Sequence, residues 1–145
     1  MEELDKRGLK EVLIESAKQK PFLGICLGLQ MLFEISDEGN QKGFGLLPGK
    51  VIKFKSDYKE RIKIPHMGWN SIKICRDAKI LNGIASDEYF YFLHSYFLSC
   101  KNKNITYAII KKLIDVGGTK LVCVGNTNDC STHQTVLQCA CRNYG

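Results

Sequence analysis

A cysteine between two glycines is the feature of this sequence best suited to chemistry. Cys26 lies two residues after Gly24 and two residues before Gly28. A cysteine thiolate is a strong nucleophile, and small residues on both sides let a strand turn sharply into a helix without a backbone clash. This is the pattern of a nucleophile elbow in which cysteine replaces serine. The alternative is a small buried hydrophobic residue, the commoner role for a cysteine in an apolar stretch.

The flanking residues predict the strand and the helix that such an elbow needs. The apolar run 21–26 is typical of a buried parallel strand, and residues 27–34 carry apolar side chains at helical spacing. Cys26 would then lie at a helix N-terminus, where unpaired backbone N–H groups favour the thiolate. The N–H of Leu27 would point to the place where an oxyanion forms during attack on an amide carbonyl.

The rest of the chain predicts helices and strands that alternate early and strands that dominate later. An amphipathic pattern predicts a helix over 2–18. Runs rich in β-branched and aromatic residues predict strands over 50–55, 61–64, 71–74, 89–97 and 105–110. This order indicates an α/β fold with a mixed sheet flanked by helices.

Length, composition and charge are those of one compact domain. The chain has 145 residues, of which 44% are hydrophobic and 25% charged, which is enough to bury a core. The net charge is +6, but the basic residues are spread along the chain. This spread favours solvated strand edges over nucleic-acid binding. We expect a cytoplasmic protein, because the sequence has neither a membrane-spanning apolar run nor a signal-peptide pattern.

The character of the sequence changes after about residue 108. Residues 115–145 contain only Asp115 and Asp129 as acids and four of the seven cysteines. We expect a domain over 1–108 and a divergent C-terminal tail over 109–145 that is not a separate domain. A shifted reading frame, a divergent terminus, an artificial end and an ordinary loop-rich end all stay open as origins of this tail.

Four motifs, in order along the chain, resemble class I glutamine amidotransferases. They are the nucleophile segment 21–33, the glycine-rich segment 43–49, and the segments 64–70 and 91–96. The last two narrow the resemblance to the HisH branch, the glutaminase subunits of imidazole glycerol phosphate synthase. The resemblance covers roughly residues 1–108 and implies a flavodoxin-like fold. It also implies hydrolysis of glutamine to glutamate and ammonia through a γ-glutamyl thioester on Cys26.

The resemblance further implies roles for individual residues. The residues expected to contact the substrate glutamine are Gln30, Ser95 and Tyr96. The residues expected at the interface with a (β/α)₈ synthase subunit of the HisF type, which receives the ammonia, are Met67, Trp69, Asn70 and Tyr91. His66 and Met67 are expected in a loop, and His94 is expected to be a hydrogen-bonded structural histidine. The resemblance implies no cofactor and no metal.

The sequence departs from the family pattern at the other catalytic residues. The family takes its general base and an orienting carboxylate from a His-Pro-Glu motif near the C-terminus, whereas here His133 is followed by Gln134 and Thr135. His133 is the candidate base, but a neutral threonine cannot stabilise an imidazolium as a carboxylate does. In the family, a glycine-rich oxyanion loop precedes the region that resembles residues 1–4, and we expect this loop to be missing. We therefore expect an incomplete domain with negligible glutaminase activity of its own.

Three other hypotheses stay open at this point. The first is a zinc site in the tail, with the soft ligands that zinc prefers; its candidate ligands are Cys123, Cys130, His133, Cys139 and Cys141. The second is a HisH-like subunit that feeds ammonia to a sugar amidotransferase of surface-polysaccharide synthesis. The third is a non-catalytic fragment.

Overall fold

The structure is a computed structural model that describes residues 1–20, 22–55, 63–78 and 81–110, and the backbone of 120–124, 134–137 and 140–142; of residue 103 it describes the backbone alone. The helices are α1 (Glu2–Lys6), α2 (Lys10–Gln19) and α3 (Leu27–Gln30). The strands are β1 (Phe22–Ile25), β2 (Phe33–Ser36), β3 (Gln41–Lys42), β4 (Leu47–Lys53), β5 (His66–Ile74), β6 (Tyr89–His94), β7 (Tyr96–Cys100), β8 (Thr106–Ile110), β9 (Lys120–Val124), β10 (Gln134–Leu137) and β11 (Ala140–Arg142).

Within these residues the strands form two sheets. The larger sheet has the order β1-β10-β9-β8-β5-β6-β11, and the smaller sheet has the order β3-β2-β4-β7. The pairs β1–β10 and β2–β4 are parallel. The remaining described pairs are antiparallel. The predicted α/β class and the mixed pairing are therefore confirmed.

The helix predicted over 2–18 is wrong as a single element, because Gly8 ends its first part. Gly8 has a φ of 64°. Its N–H donates to the Asp5 carbonyl at 3.1 Å, and the N–H of Leu9 donates to the Leu4 carbonyl at 2.9 Å. These two bonds form a Schellman motif, which uses a left-handed residue to satisfy the carbonyls at a helix end. Gly8 was the signal for this end in the sequence.

The helix predicted over 27–34 is also wrong beyond Gln30, where α3 ends. The carbonyl of Leu32 accepts a hydrogen bond from the N–H of Leu47 at 2.8 Å instead of continuing a helical ladder. The chain then enters β2. A short apolar run does not distinguish a helix from a strand by its periodicity alone, and the prediction of a helix here was therefore wrong.

The aromatic strand predicted over 89–97 is two strands that belong to different sheets. β6 pairs with β5 in the larger sheet, and β7 pairs with β4 in the smaller one. Ser95 lies between them, so the chain changes sheets at this residue. β5 begins at His66, which corrects the expectation that His66 and Met67 lie in a loop.

Most of the other predicted strands are confirmed with shifted bounds. Those over 50–55, 71–74 and 105–110 overlap β4, β5 and β8. The strand predicted over 61–64 lies partly outside the described residues, and Lys63 and Ile64 are not in a strand.

Two hydrophobic clusters hold these elements together. The first cluster consists of Leu29, Leu32, Phe33, Leu47, Val51 and Leu98. The second cluster consists of Phe54, Ile72, Leu81, Phe90, Phe92, Phe97, Ala108 and Ile110. Burial of each large side chain stabilises the fold by about 1.5–3 kcal/mol. Because Leu29 belongs to α3, the first cluster fixes the helix that follows Cys26 against the smaller sheet.

β1 is less buried than the sequence predicts. Its parallel pairing with β10 is as expected, but the side chains of Leu23 and Ile25 are 52% and 53% exposed. No element of the described residues covers this face of the strand. The expectation of a fully buried strand is therefore wrong.

Backbone from the predicted tail contributes to the larger sheet. β9 and β10 lie between β1 and β8, and β11 pairs with β6. The domain boundary at about residue 108 stays a prediction.

Among the described helices, none has the length and apolar character needed to span a membrane.

Candidate active site

Cys26 lies at the corner between β1 and α3. Its φ of 53° and ψ of −113° are angles that residues with a side chain rarely adopt. The Cys26 carbonyl accepts hydrogen bonds from the N–H groups of Leu29 and Gln30 at 3.1 and 3.2 Å, so the strained residue begins the helical turn. The side chain is exposed. The predicted sequence of strand, corner and helix is present, and its strained residue carries an accessible thiol.

The two glycines of the motif have different roles. A Cβ atom on Gly24 would lie 2.8 Å from the carbonyl oxygen of Gly28 and 2.9 Å from the backbone nitrogen of Leu29. The end of β1 therefore approaches α3 too closely for any side chain at position 24. A Cβ atom on Gly28 would meet nothing within 4 Å. The expectation that both glycines relieve a clash is confirmed for Gly24 and wrong for Gly28.

Leu27 is the first residue of α3. The first N–H groups of any helix lack partners within that helix. The N–H of Leu27 is thus of the type that stabilises an oxyanion, and this role stays a prediction. With four residues, α3 has a weaker macrodipole than the predicted helix, so local N–H groups dominate any stabilisation of negative charge.

Gln30 is buried and its amide is held by two hydrogen bonds. The side chain is 6% exposed. Its Oε1 accepts from the Ser36 hydroxyl at 2.8 Å, and its Nε2 donates to the Glu38 carboxylate at 2.6 Å. The two bonds therefore fix the orientation of the amide. The contact of Gln30 with glutamine stays a prediction.

A cleft of about 70 Å³ opens beside this amide. Leu27, Gln30, Glu38 and Lys42 are among the residues that line it. An acidic and a basic side chain at one cleft suit a ligand that carries both an ammonium and a carboxylate group. The sequence analysis missed Ser36, Glu38 and Lys42. The signal that could have found them is the Gly39-Asn40 turn, whose residues have φ of 68° and 48° and direct the chain away from the predicted helix.

Ser95 and Tyr96 lie where the chain passes from β6 to β7. The Ser95 carbonyl accepts a hydrogen bond from the Phe54 N–H at 3.0 Å. The half-buried Tyr96 packs against the same hydrophobic cluster that contains Leu29 of α3. The structure thus brings Tyr96 and the helix after Cys26 to one cluster. The contact of Ser95 and Tyr96 with substrate stays a prediction.

His94 is buried and hydrogen-bonded. Its Nδ1 lies 2.9 Å from the Tyr96 carbonyl, and its Nε2 lies 2.9 Å from Nδ1 of His66. Burial lowers the pKa of His94 below its ordinary value of 6.5, and the hydrogen bond to Tyr96 acts in the opposite direction. A neutral imidazole in this position agrees with the structural role expected for His94.

Three of the four predicted interface residues share one exposed face of β5 and β6. Met67 and Trp69 are 59% and 46% exposed. The Tyr91 ring lies 5.6 Å from the Trp69 ring in an edge-to-face arrangement, and the exposed Leu93 pairs with Met67. We call Met67, Trp69, Tyr91 and Leu93 the apolar face. Asn70 lies on the opposite side of β5, where its amide contacts Nε2 of His66 at 2.9 Å.

The remaining candidates belong to the tail. His133, Cys130 and Cys139 lie outside the described residues, as do the side chains of Cys123 and Cys141. In the part of the chain that is described, no group of three or more His, Cys, Asp or Glu side chains is arranged to hold a metal ion. The zinc hypothesis, which rests on tail residues, is therefore not tested.

Comparison with known proteins gives one family and a consistent set of relatives. The model of the family "Glutamine amidotransferase class-I" matches residues 5–112. The chain is 51% identical over 110 residues to "Imidazole glycerol phosphate synthase subunit HisH" of Nitrosomonas europaea, covering 72% of this chain and 52% of that protein. The protein of the same name from Chromobacterium violaceum is 47% identical over 111 residues, covering 74% and 52%. The chain thus spans about half the length of the curated relatives it matches.

The unequal roles of the two glycines give a first prediction. Gly24→Ala forces a Cβ atom against backbone, so it should lower the free energy of unfolding by about 1–3 kcal/mol. Gly28→Ala, the matched control, should be neutral or slightly stabilising because alanine has the higher helix propensity. Urea denaturation of both variants measures this difference. Equal effects at the two positions would contradict the close approach of β1 to α3.

The burial of His94 gives a second prediction. The folded state binds a proton at His94 less readily than the unfolded state does. Its contribution to stability is therefore complete above pH 6.5 and is lost as pH falls through the folded pKa. The lowered pKa of Glu34, caused first by its hydrogen bond with Lys101, acts only below 4.5.

Urea denaturation at about pH 7.5 and about pH 5.5 measures this effect, since the two values bracket an ordinary histidine pKa. The wild-type chain should lose more stability on acidification than His94→Asn, which has no titrating group at this position. Comparing the two chains cancels the titration of residues that do not contact His94. The same loss in both would mean that His94 titrates normally in the folded state.

Proposed function

We propose that this chain, which belongs to the class-I glutamine amidotransferase family, carries the nucleophile that releases ammonia from the side-chain amide of glutamine. The observation that carries the proposal is the exposed thiol of Cys26 on a strained strand-to-helix corner. Strained backbone of this kind clusters at active sites, where the surrounding structure holds it. A cysteine with a structural role alone has no need of such a corner.

The reaction follows the chemistry of a thiol nucleophile. The Cys26 sulfur attacks the amide carbon of glutamine, and the carbonyl electrons move to oxygen, which the Leu27 N–H stabilises. The carbon–nitrogen bond then breaks, and the nitrogen leaves with an added proton as ammonia. Water hydrolyses the resulting γ-glutamyl thioester to glutamate and restores the thiol.

These proton transfers need a general base and a group that orients it. His133 is the candidate from the sequence, and Thr135 stands where the family has an orienting carboxylate. Without that carboxylate the imidazolium formed during attack is not stabilised. We therefore propose that the chain binds and attacks glutamine but turns it over very slowly by itself.

The cleft beside Gln30 supports glutamine as the ligand. A free amino acid has an α-ammonium group and an α-carboxylate group. The Glu38 carboxylate suits the first, and the Lys42 ammonium suits the second. Leu27, the residue after Cys26, lines the same cleft, and we propose that the side chain of the bound amino acid extends from there towards the corner that carries Cys26. Ser95 and Tyr96 are proposed to complete this site.

The proposed partner is a synthase subunit that uses the ammonia. The curated relatives are named as subunits of imidazole glycerol phosphate synthase, and we extend that role in histidine biosynthesis to this chain. The apolar face, with its paired Trp69 and Tyr91 rings, suits a protein surface, since aromatic side chains often anchor such interfaces. The proposed partner is a HisF-type (β/α)₈ barrel. Asn70 would support this face from behind rather than contact the partner.

Selective labelling tests the proposed nucleophile. A γ-diazoketone analogue of glutamine should alkylate Cys26 and leave Cys75 unmodified, although both thiols are exposed. The reason is that Cys26, unlike Cys75, is proposed to lie beside the site that recognises the amino-acid end of the analogue. Peptide mass spectrometry measures the modification at each cysteine, and added glutamine should slow it at Cys26. Cys26→Ala supplies the control. Equal modification of Cys75, or no protection by glutamine, would overturn the proposal.

Substitution of Trp69 tests the proposed partner. Trp69→Ala should weaken binding to a HisF-type synthase subunit by about tenfold or more, as expected for a central aromatic anchor. Isothermal titration calorimetry measures the change. Val12→Ala is the matched control, because Val12 is an exposed apolar residue on α2 and is 58% exposed. Wild-type affinity in Trp69→Ala would remove the apolar face as the docking surface.

A further inference from the structure

A chain of polar side chains runs behind the apolar face. The Asn70 amide nitrogen lies 2.9 Å from Nε2 of His66. Nδ1 of His66 lies 2.9 Å from Nε2 of His94, and Nδ1 of His94 lies 2.9 Å from the carbonyl oxygen of Tyr96. Both histidines are buried. The chain connects β5, which carries half of the apolar face, to the first residue of β7.

The Tyr96 carbonyl, at the end of this series of hydrogen bonds, determines the direction of every bond in it. The Tyr96 carbonyl can only accept, so Nδ1 of His94 must carry a proton. Nε2 of a neutral His94 then accepts, which requires Nδ1 of His66 to donate. Nε2 of His66 accepts in turn from the Asn70 amide, which is a donor. Both imidazoles therefore hold their proton on Nδ1, and each has a defined orientation.

The surroundings of His94 favour this neutral, ordered state. The rings of Phe54 and Phe92 lie 5.4 and 6.3 Å from its imidazole. Burial against these rings removes the imidazole from water, and this loss of solvation disfavours the charged imidazolium. The lowered pKa of His94 agrees with this surrounding.

The same contacts hold the segment where the chain changes sheets. The Ser95 carbonyl accepts from the Phe54 N–H at 3.0 Å, and the next carbonyl, that of Tyr96, accepts from His94. His94 ends β6 and Tyr96 begins β7. One imidazole thus bridges the end of a strand in the larger sheet and the beginning of a strand in the smaller sheet.

We propose that His94, oriented by His66, is a positioning residue that holds Ser95 and Tyr96 in place for the binding of glutamine. The proposal rests on the proposed function, because it assigns a purpose to the predicted substrate contacts of those two residues. The hydrogen bond between His66 and His94 also connects Ser95 and Tyr96 to β5. Because β5 carries half of the apolar face, this strand connects the proposed glutamine site to the apolar face.

A pair of amide substitutions separates this role from ordinary packing. The side-chain nitrogen of asparagine reproduces the position of Nδ1, whereas that of glutamine reproduces Nε2. His94→Asn keeps a donor for the Tyr96 carbonyl, and His94→Gln loses it. The same pair at His66 tests the previous link, because His66→Asn keeps a donor towards His94 and His66→Gln does not. Lys73→Gln, an exposed change on β5, is the control.

Three readouts are measured on the full chain. The first is the concentration of the γ-diazoketone analogue that gives half the maximal rate of Cys26 alkylation (KI). The second is the rate of Cys26 alkylation by iodoacetamide, which needs no amino-acid recognition. The third is amide hydrogen exchange of Phe54, whose N–H bonds to Ser95. His94→Gln should raise KI by about fivefold, the loss of one hydrogen bond, and speed Phe54 exchange. In His94→Asn, KI and the Phe54 exchange rate should both stay close to their wild-type values. The rate of iodoacetamide alkylation should be unchanged in either variant.

The outcomes are distinct. Equal losses of analogue binding in His94→Asn and His94→Gln overturn the proposal, since packing rather than the donor would then matter. Unchanged KI and exchange in His94→Gln overturn it as well. If the analogue fails to label the wild-type chain, the proposed function fails. Phe54 exchange still decides whether His94 positions the segment in that case: faster exchange in His94→Gln alone supports positioning, and unchanged exchange overturns it. Should His94→Gln not fold, the His66 pair provides the same comparison.

Discussion

The close approach of β1 to α3 at Gly24 is the contact on which the candidate site depends. The backbone of Gly28 and Leu29 occupies the space that a side chain at position 24 would need. Cys26 lies between these two elements, at a φ of 53°. Leu29, fully buried in the first cluster, holds α3 in that place. Packing of the smaller sheet therefore provides the force that maintains strain at the nucleophile.

Each of the two sheets carries a different part of the proposed function. The smaller sheet and its cluster hold the corner, Gln30 and the acidic and basic residues of the cleft. The larger sheet presents the apolar face. His94 and Tyr96 link the two sheets at Ser95, so hydrogen bonds connect the proposed substrate site to the proposed docking surface. Such an arrangement suits a subunit whose ammonia is useful only when its partner is bound.

Backbone conformation can be predicted from the sequence where residues that are close in the chain determine it. The Gly-x-Cys-x-Gly spacing predicted the corner at Cys26, because strand, turn and helix are adjacent in the chain. The conformation at Gly8 was also encoded locally and was overlooked. The role of Gly28 could not be predicted, since it depends on which backbone happens to approach it. The same is true of the end of α3, where Leu47 supplies the hydrogen bond that a helix would otherwise make.

Side-chain partners across strands were beyond sequence reasoning for a similar reason. Asn70 and Trp69 are neighbours in the chain, yet the alternation of a strand places them on opposite faces. Nothing local indicates that Glu38 returns to Gln30, or that His66 meets His94 28 residues away. These contacts depend on register, which pairing between distant strands determines.

A crystal structure of the chain alkylated by a chloroketone analogue of glutamine would show whether Cys26 attacks an amino acid bound in the cleft. We expect a covalent bond to the Cys26 sulfur, the ketone oxygen within hydrogen-bond distance of the Leu27 N–H, and the α-ammonium group against Glu38. An adduct whose oxygen faces away from α3, or whose amino-acid end lies outside the cleft, would contradict this expectation.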